Sequence, residues 1–170
     1  MRTFFACLPT PEVALEIDKW RALNWPLLER PVPPQNLHMT LVFTGDINQS
    51  QLQCMHEALL GLESPGFHLN FDRTGFFNKA DILWLGMHNQ PDRLPALVSA
   101  LRVLCLDCGV QLKKRDYIPH VTLARRCGHL PSIPLVEPSI GFYADSIHLM
   151  ISEQAGGMVT YRSLISRQLD

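Results

Sequence analysis

The sequence predicts an α+β protein of two similar lobes, and three observations carry that prediction. The order strand, helix, extended linker, strand occurs twice, over residues 3–43 and again over 82–125. Each copy closes on the same short motif, Leu37-His38-Met39-Thr40-Leu41-Val42 in the first and Pro119-His120-Val121-Thr122-Leu123-Ala124 in the second. The chain has 170 residues, 46% hydrophobic and 18% charged, which suits one domain or two small interlocked lobes around a sizeable core. We expect one domain over residues 1–170, its lobes facing each other across a cleft that the paired motifs line, with helices outside and sheets inside.

The elements follow in order. Residues 3–8 form a short β-prone apolar run, and Thr10-Pro11-Glu12 then supplies an N-cap, a first-turn proline and a first-turn acid for a helix. Val13, Ile17 and Trp20 recur at helical spacing, and Pro26 ends the pattern. The proline-rich Arg30-Pro31-Val32-Pro33-Pro34 reads as an extended connector into a strand over 37–44. A second helix spans 51–60, with Leu52, Met55 and Leu59 on one face and Gly61 as its stop. Strands at 67–71 and 82–88 flank a turn-rich middle. A third helix covers about Asp92 to Cys108, with a stripe of Leu94, Leu97, Leu101, Cys105 and Cys108, and Gly109 just beyond. A strand over 118–124, a proline-containing loop over 130–138, and strands over 146–151 and 159–165 complete the chain.

Composition narrows the function classes. A net charge of -1 and a pI near 6.6 argue against coating long stretches of duplex, since that affinity comes from many phosphate contacts, but leave room for recognising one nucleic-acid end. No apolar run approaches the roughly 20 residues that span a bilayer, and the first residues are too short in their apolar part for a signal peptide. The expectation is a soluble, cytoplasmic protein. Five cysteines, an odd number without export signals, point to reduced thiols rather than a disulfide framework, and the core should need no staple.

The repeated motif carries the chemistry. On a strand, alternate side chains share a face, so His38 and Thr40 point one way while Met39 and Leu41 point the other, and His120 and Thr122 do likewise. A lone His-x-Thr is more often structural, but two copies at the ends of matching units make a catalytic pair. Two imidazoles titrating near roughly pH 6.5 can serve as general base and general acid, and two hydroxyls can donate to phosphate oxygens, a kit suited to phosphodiester chemistry.

With the opening Arg2-Thr3-Phe4-Phe5-Ala6, the run from Asn36 to Gly45, Trp84-Leu85-Gly86, the run from Pro119 to Arg125, and Tyr161 in the tail, the sequence resembles the 2H phosphoesterase superfamily. More closely it is similar to the bacterial and archaeal RNA 2′,3′-cyclic phosphodiesterases, also called 2′-5′ RNA ligases. That resemblance implies a bilobal fold with mostly antiparallel sheets. It also implies hydrolysis of a terminal 2′,3′-cyclic phosphate to a 2′-phosphate without metal or other cofactor. His38 would be the acid for the departing 3′ oxygen and His120 the base for water. Thr40, Thr122 and Arg125 would bind phosphate, and Phe43 would stack on a base. The partner it implies is RNA with a cyclic-phosphate end, tRNA fragments included, and the reverse reaction would join RNA ends through a 2′-5′ bond; we expect a monomeric or weakly associating protein. Family members usually carry leucine where Thr44 stands, a departure that bears on local packing. Simple alternation puts Arg125 and Phe43 on the face opposite the histidines, so a bulge or strand end has to re-aim them. Two other readings fit the same kit: a phosphodiesterase for another 2′-5′ or cyclic nucleotide ester, and a non-catalytic protein that binds RNA ends.

Other signals carry less. Cys105 and Cys108 with Cys127 and His129 could be four zinc ligands, but two of them fall on the buried stripe of a helix, where small thiols pack without a metal. Lys113, Lys114 and Arg115 form either a solvated loop or a guide for an RNA backbone. His56, His68, His88 and His148 lack any repeated context and read as surface or packing residues.

Overall fold

The computed structural model describes residues 1–114, 116–129 and 131–170. Strand β1 (Arg2–Cys7) is buried from Thr3 to Cys7, so both of its faces are covered. Thr10 caps helix α1 (Pro11–Asn24), its hydroxyl accepting from the Val13 amide. The connector runs extended through Pro31 and Pro33, as expected, and one turn of 3-10 helix, Pro34–Asn36, follows before β2 (Met39–Asp46). A capping box between Asn48 and Gln51 starts α2 (Gln49–Leu60) slightly earlier than its apolar face predicts. Next come β3 (Phe67–Phe71), β4 (Arg73–Phe77), β5 (Ile82–Gly86), α3 (Arg93–Asp107), β6 (His120–Arg125), β7 (Ile140–Ala144), β8 (Ser146–Ala155) and β9 (Met158–Gln168). The sequence pattern misses β4 and β7, two short strands whose signal is interrupted by Gly75 and Gly141.

Seven strands form one sheet in the order β4-β5-β6-β2-β1-β8-β9, while β3 and β7 pair separately, and every pairing is antiparallel. The duplicated unit is present as β1-α1-β2 and β5-α3-β6, its two strands adjacent in each case. The lobes meet edge to edge where Met39 of β2 lies opposite Val121 of β6. They are two halves of one sheet, with a motif strand on each side of the seam.

The two faces of this sheet differ. Phe5, Met39, Leu85, Val121 and Leu123 point into one core with Ile17 of α1, Met55 of α2 and Leu101 of α3. The opposite face carries a smaller cluster of Phe4, Ala6 and Met150, edged by Leu8 and Tyr161. All three helices thus pack on the first face. The second is left to the polar members of the motifs.

The expectation of five reduced thiols is corrected: Cys54 and Cys108 form a disulfide that ties α2 to the C-cap of α3, across 54 residues of sequence. Cys7 and Cys105 are free and buried, and Cys127 is free and half-buried. The parity of the cysteine count could not show that two half-exposed thiols on packed helices would meet. Among the described residues no helix is long and apolar enough to cross a membrane.

Denaturation and alkylation without reductant should label only Cys7, Cys105 and Cys127, and with reductant all five cysteines. Opening the bridge should lower unfolding free energy by about 2–4 kcal/mol. Equal labelling with and without reductant would remove the crosslink.

Candidate active site

Each motif strand carries an extra residue within its motif relative to its neighbour, and β2 carries a second one further on, at Thr44. On β2, Thr40 pairs with Ala6 but Val42 with Phe5, which leaves Leu41 as a bulge. On β6, Thr122 pairs with Trp84 but Ala124 with Leu83, which leaves Leu123 as a bulge. The two bulges occupy the same place, directly after each threonine. Paired residues share a face, so Phe43, opposite Phe4, returns to the face of Thr40, which is opposite Ala6. Likewise Arg125, opposite Ile82, returns to the face of Thr122, which is opposite Trp84. The bulges therefore re-aim both residues that simple alternation turns away.

Across the seam, Met39 and Val121 are fully buried toward the helices, so their neighbours in sequence face the other way. Antiparallel register then sets Thr40 beside His120 and Thr122 beside His38. His38 Nδ1 donates to the Asn36 carbonyl at 2.7 Å, and His120 Nδ1 donates to the Ile118 carbonyl at 2.6 Å. A carbonyl only accepts, so in each neutral ring Nδ1 keeps its proton and Nε2 presents a lone pair. Among the described residues neither Nε2, nor the hydroxyl of Thr40 or Thr122, has a hydrogen-bond partner. Yet Trp84 Nε1 is the only buried, unpartnered side-chain polar atom among the described residues, so these four atoms reach solvent.

Burial pushes the His38 pKa down to about 4; the bond to Asn36 opposes this, and the positive charges of Arg125 and His120 add to it. His120 is lowered too, chiefly by burial, with the Ile118 bond opposing and Arg125 adding. Arg125 is thus near enough for its charge to act on both histidines. Both imidazoles are therefore neutral near pH 7, and an anion between them would offset the Arg125 charge and favour protonation. Such a group can hold a phosphate and exchange protons on two sides of it.

Aromatic rings wall the site. Phe4 lies 4.8 Å from the His38 ring, and Tyr161 meets that ring edge-on at 4.9 Å. Phe77 meets His120 edge-on at 5.0 Å, with Trp84 at 6.2 Å. The motif reading gave no role to Phe4 or Phe77. The alternation of β1 marks Phe4, but Phe77 depends on β4, whose existence the sequence hides.

The bulges are braced reciprocally. Buried Arg21 of α1 donates through Nη1 to the carbonyls of Leu123 (2.9 Å) and Val32 (2.6 Å), and its Nη2 pairs with Asp18. The Val32 amide also donates to the Leu123 carbonyl, and the Arg125 amide to the Arg30 carbonyl. In the other direction, the Tyr117 hydroxyl donates to the Thr40 carbonyl at 3.2 Å. Each motif strand is held by a side chain from the opposite half.

The remaining sequence candidates lie elsewhere. Lys113 lines a polar hollow of about 590 Å³ with Arg2 and Thr44, Lys114 is exposed, and Arg115 lies outside the described residues. Thr44, the departure from the family pattern, shares a buried 2.6 Å hydrogen bond with the Thr3 hydroxyl. Cys108 is committed to Cys54, and no group of three or more His, Cys, Asp or Glu among the described residues is arranged to hold a metal ion. His88 pairs with Asp72, His148 lies between Ser146 and Ser163, and His68 packs on Tyr143.

Comparison with known proteins adds a family. The model for the 2'-5' RNA ligase superfamily matches residues 9–156. The RNA 2′,3′-cyclic phosphodiesterase of Escherichia coli (strain K12) is 30% identical over 164 residues, covering 96% of this chain and 93% of that protein. The protein of the same name from Aquifex aeolicus (strain VF5) is 29% identical over 128 residues, 72% of this chain and 67% of its own. A crystal structure of a phosphoesterase superposes with a TM-score of 0.92 at 30% identity, covering 99% of this chain and 97% of that one. E. coli LigT complexed with 3′-AMP gives 0.84 at 30% identity, covering 99% and 96%.

Histidine NMR titration should find His38 with a pKa near 4 and His120 below its ordinary 6.5, both with Nδ1 protonated in the neutral ring. Inorganic phosphate should raise both values. An unperturbed pair, or values indifferent to phosphate, would contradict the site as described.

Proposed function

The chain belongs to the 2′-5′ RNA ligase superfamily, and on that footing we propose that it is an RNA 2′,3′-cyclic phosphodiesterase that opens terminal cyclic phosphates to 2′-phosphates. One observation carries the assignment of roles: two histidines and two threonines, duplicated on bulged strands, present unpartnered Nε2 and hydroxyl atoms on one face at the seam.

In this mechanism water attacks phosphorus in line with the 3′ oxygen. His120 Nε2 takes the water proton as the new P–O bond forms, and His38 gives its Nε2 proton to O3′ as the P–O3′ bond breaks. The phosphate stays on O2′. Thr40 and Thr122 donate to the non-bridging oxygens, and Arg125 balances their charge as it grows. Phe43, 54% exposed and on the same face, offers its ring to the terminal base. If the 5′-hydroxyl of a second RNA replaces water, the same bond breaks and a 2′-5′ linkage forms. The donor set suits acid–base chemistry rather than a metal, since two imidazoles and two hydroxyls are too few protein ligands for a typical catalytic zinc. The net charge of -1 fits recognition of one RNA end rather than coverage of a long duplex, and we propose a cytoplasmic monomer that takes ends such as those of tRNA fragments.

Incubation with a short RNA ending in a 2′,3′-cyclic phosphate should yield the 2′-phosphate. Binding without turnover would leave an RNA-end binding protein, and indifference to this RNA alongside cleavage of another cyclic ester would move the substrate. Thr40→Val and Thr122→Val should each lower kcat by about 10²–10³. Loss of stability with the folded fraction still turning over normally would make the threonines structural.

The two histidines can be told apart by the leaving group. A 3′-thio substrate releases a weakly basic thiolate that needs no proton, so His38→Ala should recover much of its lost rate on it while His120→Ala stays impaired. Rescue of His120→Ala instead would reverse the roles.

A further inference from the structure

Arg73 stands apart from the machinery above, yet it belongs to the same face. On β4 it pairs with Gly86 of β5, which pairs with His120 of β6, so the three lie in one row across the sheet. The middle residue has no side chain to separate the outer two. The Arg73 guanidinium lies over the Trp84 ring, with Cζ 5.2 Å from its centroid, and that same indole is 6.2 Å from the His120 ring. Two glycines make the platform possible, because a Cβ at Gly75 or Gly86 would run into the indole.

The half-buried Arg73 has no counter-ion among the described residues. The ion pairs among the described residues are Arg21 with Asp18, His88 with Asp72, and Arg162 with Glu153. Asp72, next in sequence, is engaged by the His88 amide and ring. A cation–π contact restrains a guanidinium while leaving N–H donors to grip a phosphate. The indole beneath also holds the one buried donor without an acceptor among the described residues, Trp84 Nε1. A cation without an anion and a donor without an acceptor thus share one corner beside the catalytic row.

We propose that Arg73, seated on Trp84, is a second phosphate subsite that takes the internucleotide phosphodiester next to the cyclic end. This rests on the cyclic-phosphodiesterase reading and deepens it: the site is built for an RNA end rather than a lone nucleotide. A cyclic-phosphate terminus has only one covalently adjacent phosphate, the diester on its own 5′ oxygen. Arg125 holds the reacting phosphate, and Arg73 holds the next.

The test compares two dinucleotides ending in a 2′,3′-cyclic phosphate, one with a normal internucleotide phosphodiester and one with a neutral methylphosphonate there. Wild type should prefer the charged linkage by about tenfold in kcat/KM, the scale of one charge-assisted contact. The preference, taken as a ratio within each protein, should fall to about one in Arg73→Gln and survive in part in Arg73→Lys. Any general loss of activity or folded fraction cancels in that ratio. A wild-type ratio near one, or an undiminished ratio in Arg73→Gln, would overturn the subsite. If neither dinucleotide nor a nucleoside 2′,3′-cyclic phosphate is opened, the underlying enzymatic reading fails instead.

Discussion

A strand shows alternate residues to each face, and a site made of a histidine, a threonine two residues on and a third group five residues on cannot be built on an unbroken strand. One inserted residue resolves the parity. Leu41 and Leu123 are those residues, and everything else at the site is arranged around them. Each bulge lets two successive side chains sink toward the helices, Leu41 with Val42 and Leu123 with Ala124, all four buried. The polar series then resumes on the opposite face. A bulge interrupts the ladder and leaves backbone groups to be met by something other than the partner strand. The Leu123 carbonyl is met by the Val32 amide and Arg21, and the Thr40 carbonyl by the Tyr117 hydroxyl.

This bracing explains why the two halves of the duplication work as one body. The β2–β6 seam has a single register pair, Met39 with Val121, too little to fix two half-sheets with the accuracy that acid–base chemistry needs. The connector before β2 instead pairs with the end of β6, with Pro31 bridged to Ala124 and the Arg125 amide bonded to the Arg30 carbonyl. The turn at Asp81 closes the far side, its carboxylate accepting from the Gly128 amide and its carbonyl from Arg126. Arg125 is therefore held through its backbone by both halves while its side chain stays exposed.

The duplicated motif was fully legible in the sequence, because His38, Thr40, His120 and Thr122 lie at fixed local offsets. The three helices were legible to within a few residues, through the cap at Thr10, the stops at Gly61 and Gly109 and the periodic apolar residues, while the Asn48 cap of α2 was not read. What could not be read depends on chain segments far apart. The bulges exist only relative to β1 and β5, the histidine tautomers depend on the carbonyls of Asn36 and Ile118, and Arg21 looks like any charged residue of an amphipathic helix until Leu123 is placed beside it. Cys54 and Cys108 gave no sign of each other for the same reason. Phe77 and Arg73 were hidden together, since a strand interrupted by Gly75 carries too weak a pattern to reveal its faces.

The duplication is symmetric in backbone and asymmetric in charge, and the asymmetry sits at one position. The residue five places after the histidine is Phe43 in the first half and Arg125 in the second, each turned to the same face by the same bulge. A pair of arginines there would drive both imidazoles further toward neutrality, and a pair of phenylalanines would leave the phosphate without a fixed counter-charge. One of each gives a single cation shared by two histidines, together with an apolar ring for the uncharged part of a nucleotide. That cation and the burial of the rings keep the imidazoles discharged. Phosphate reverses the balance, because its charge cancels the guanidinium and favours a proton on the imidazole beside it. In the proposed mechanism the acid would thus form where and when the anion it serves binds, and a half-buried pair of imidazoles would become one acid and one base without any other group changing charge.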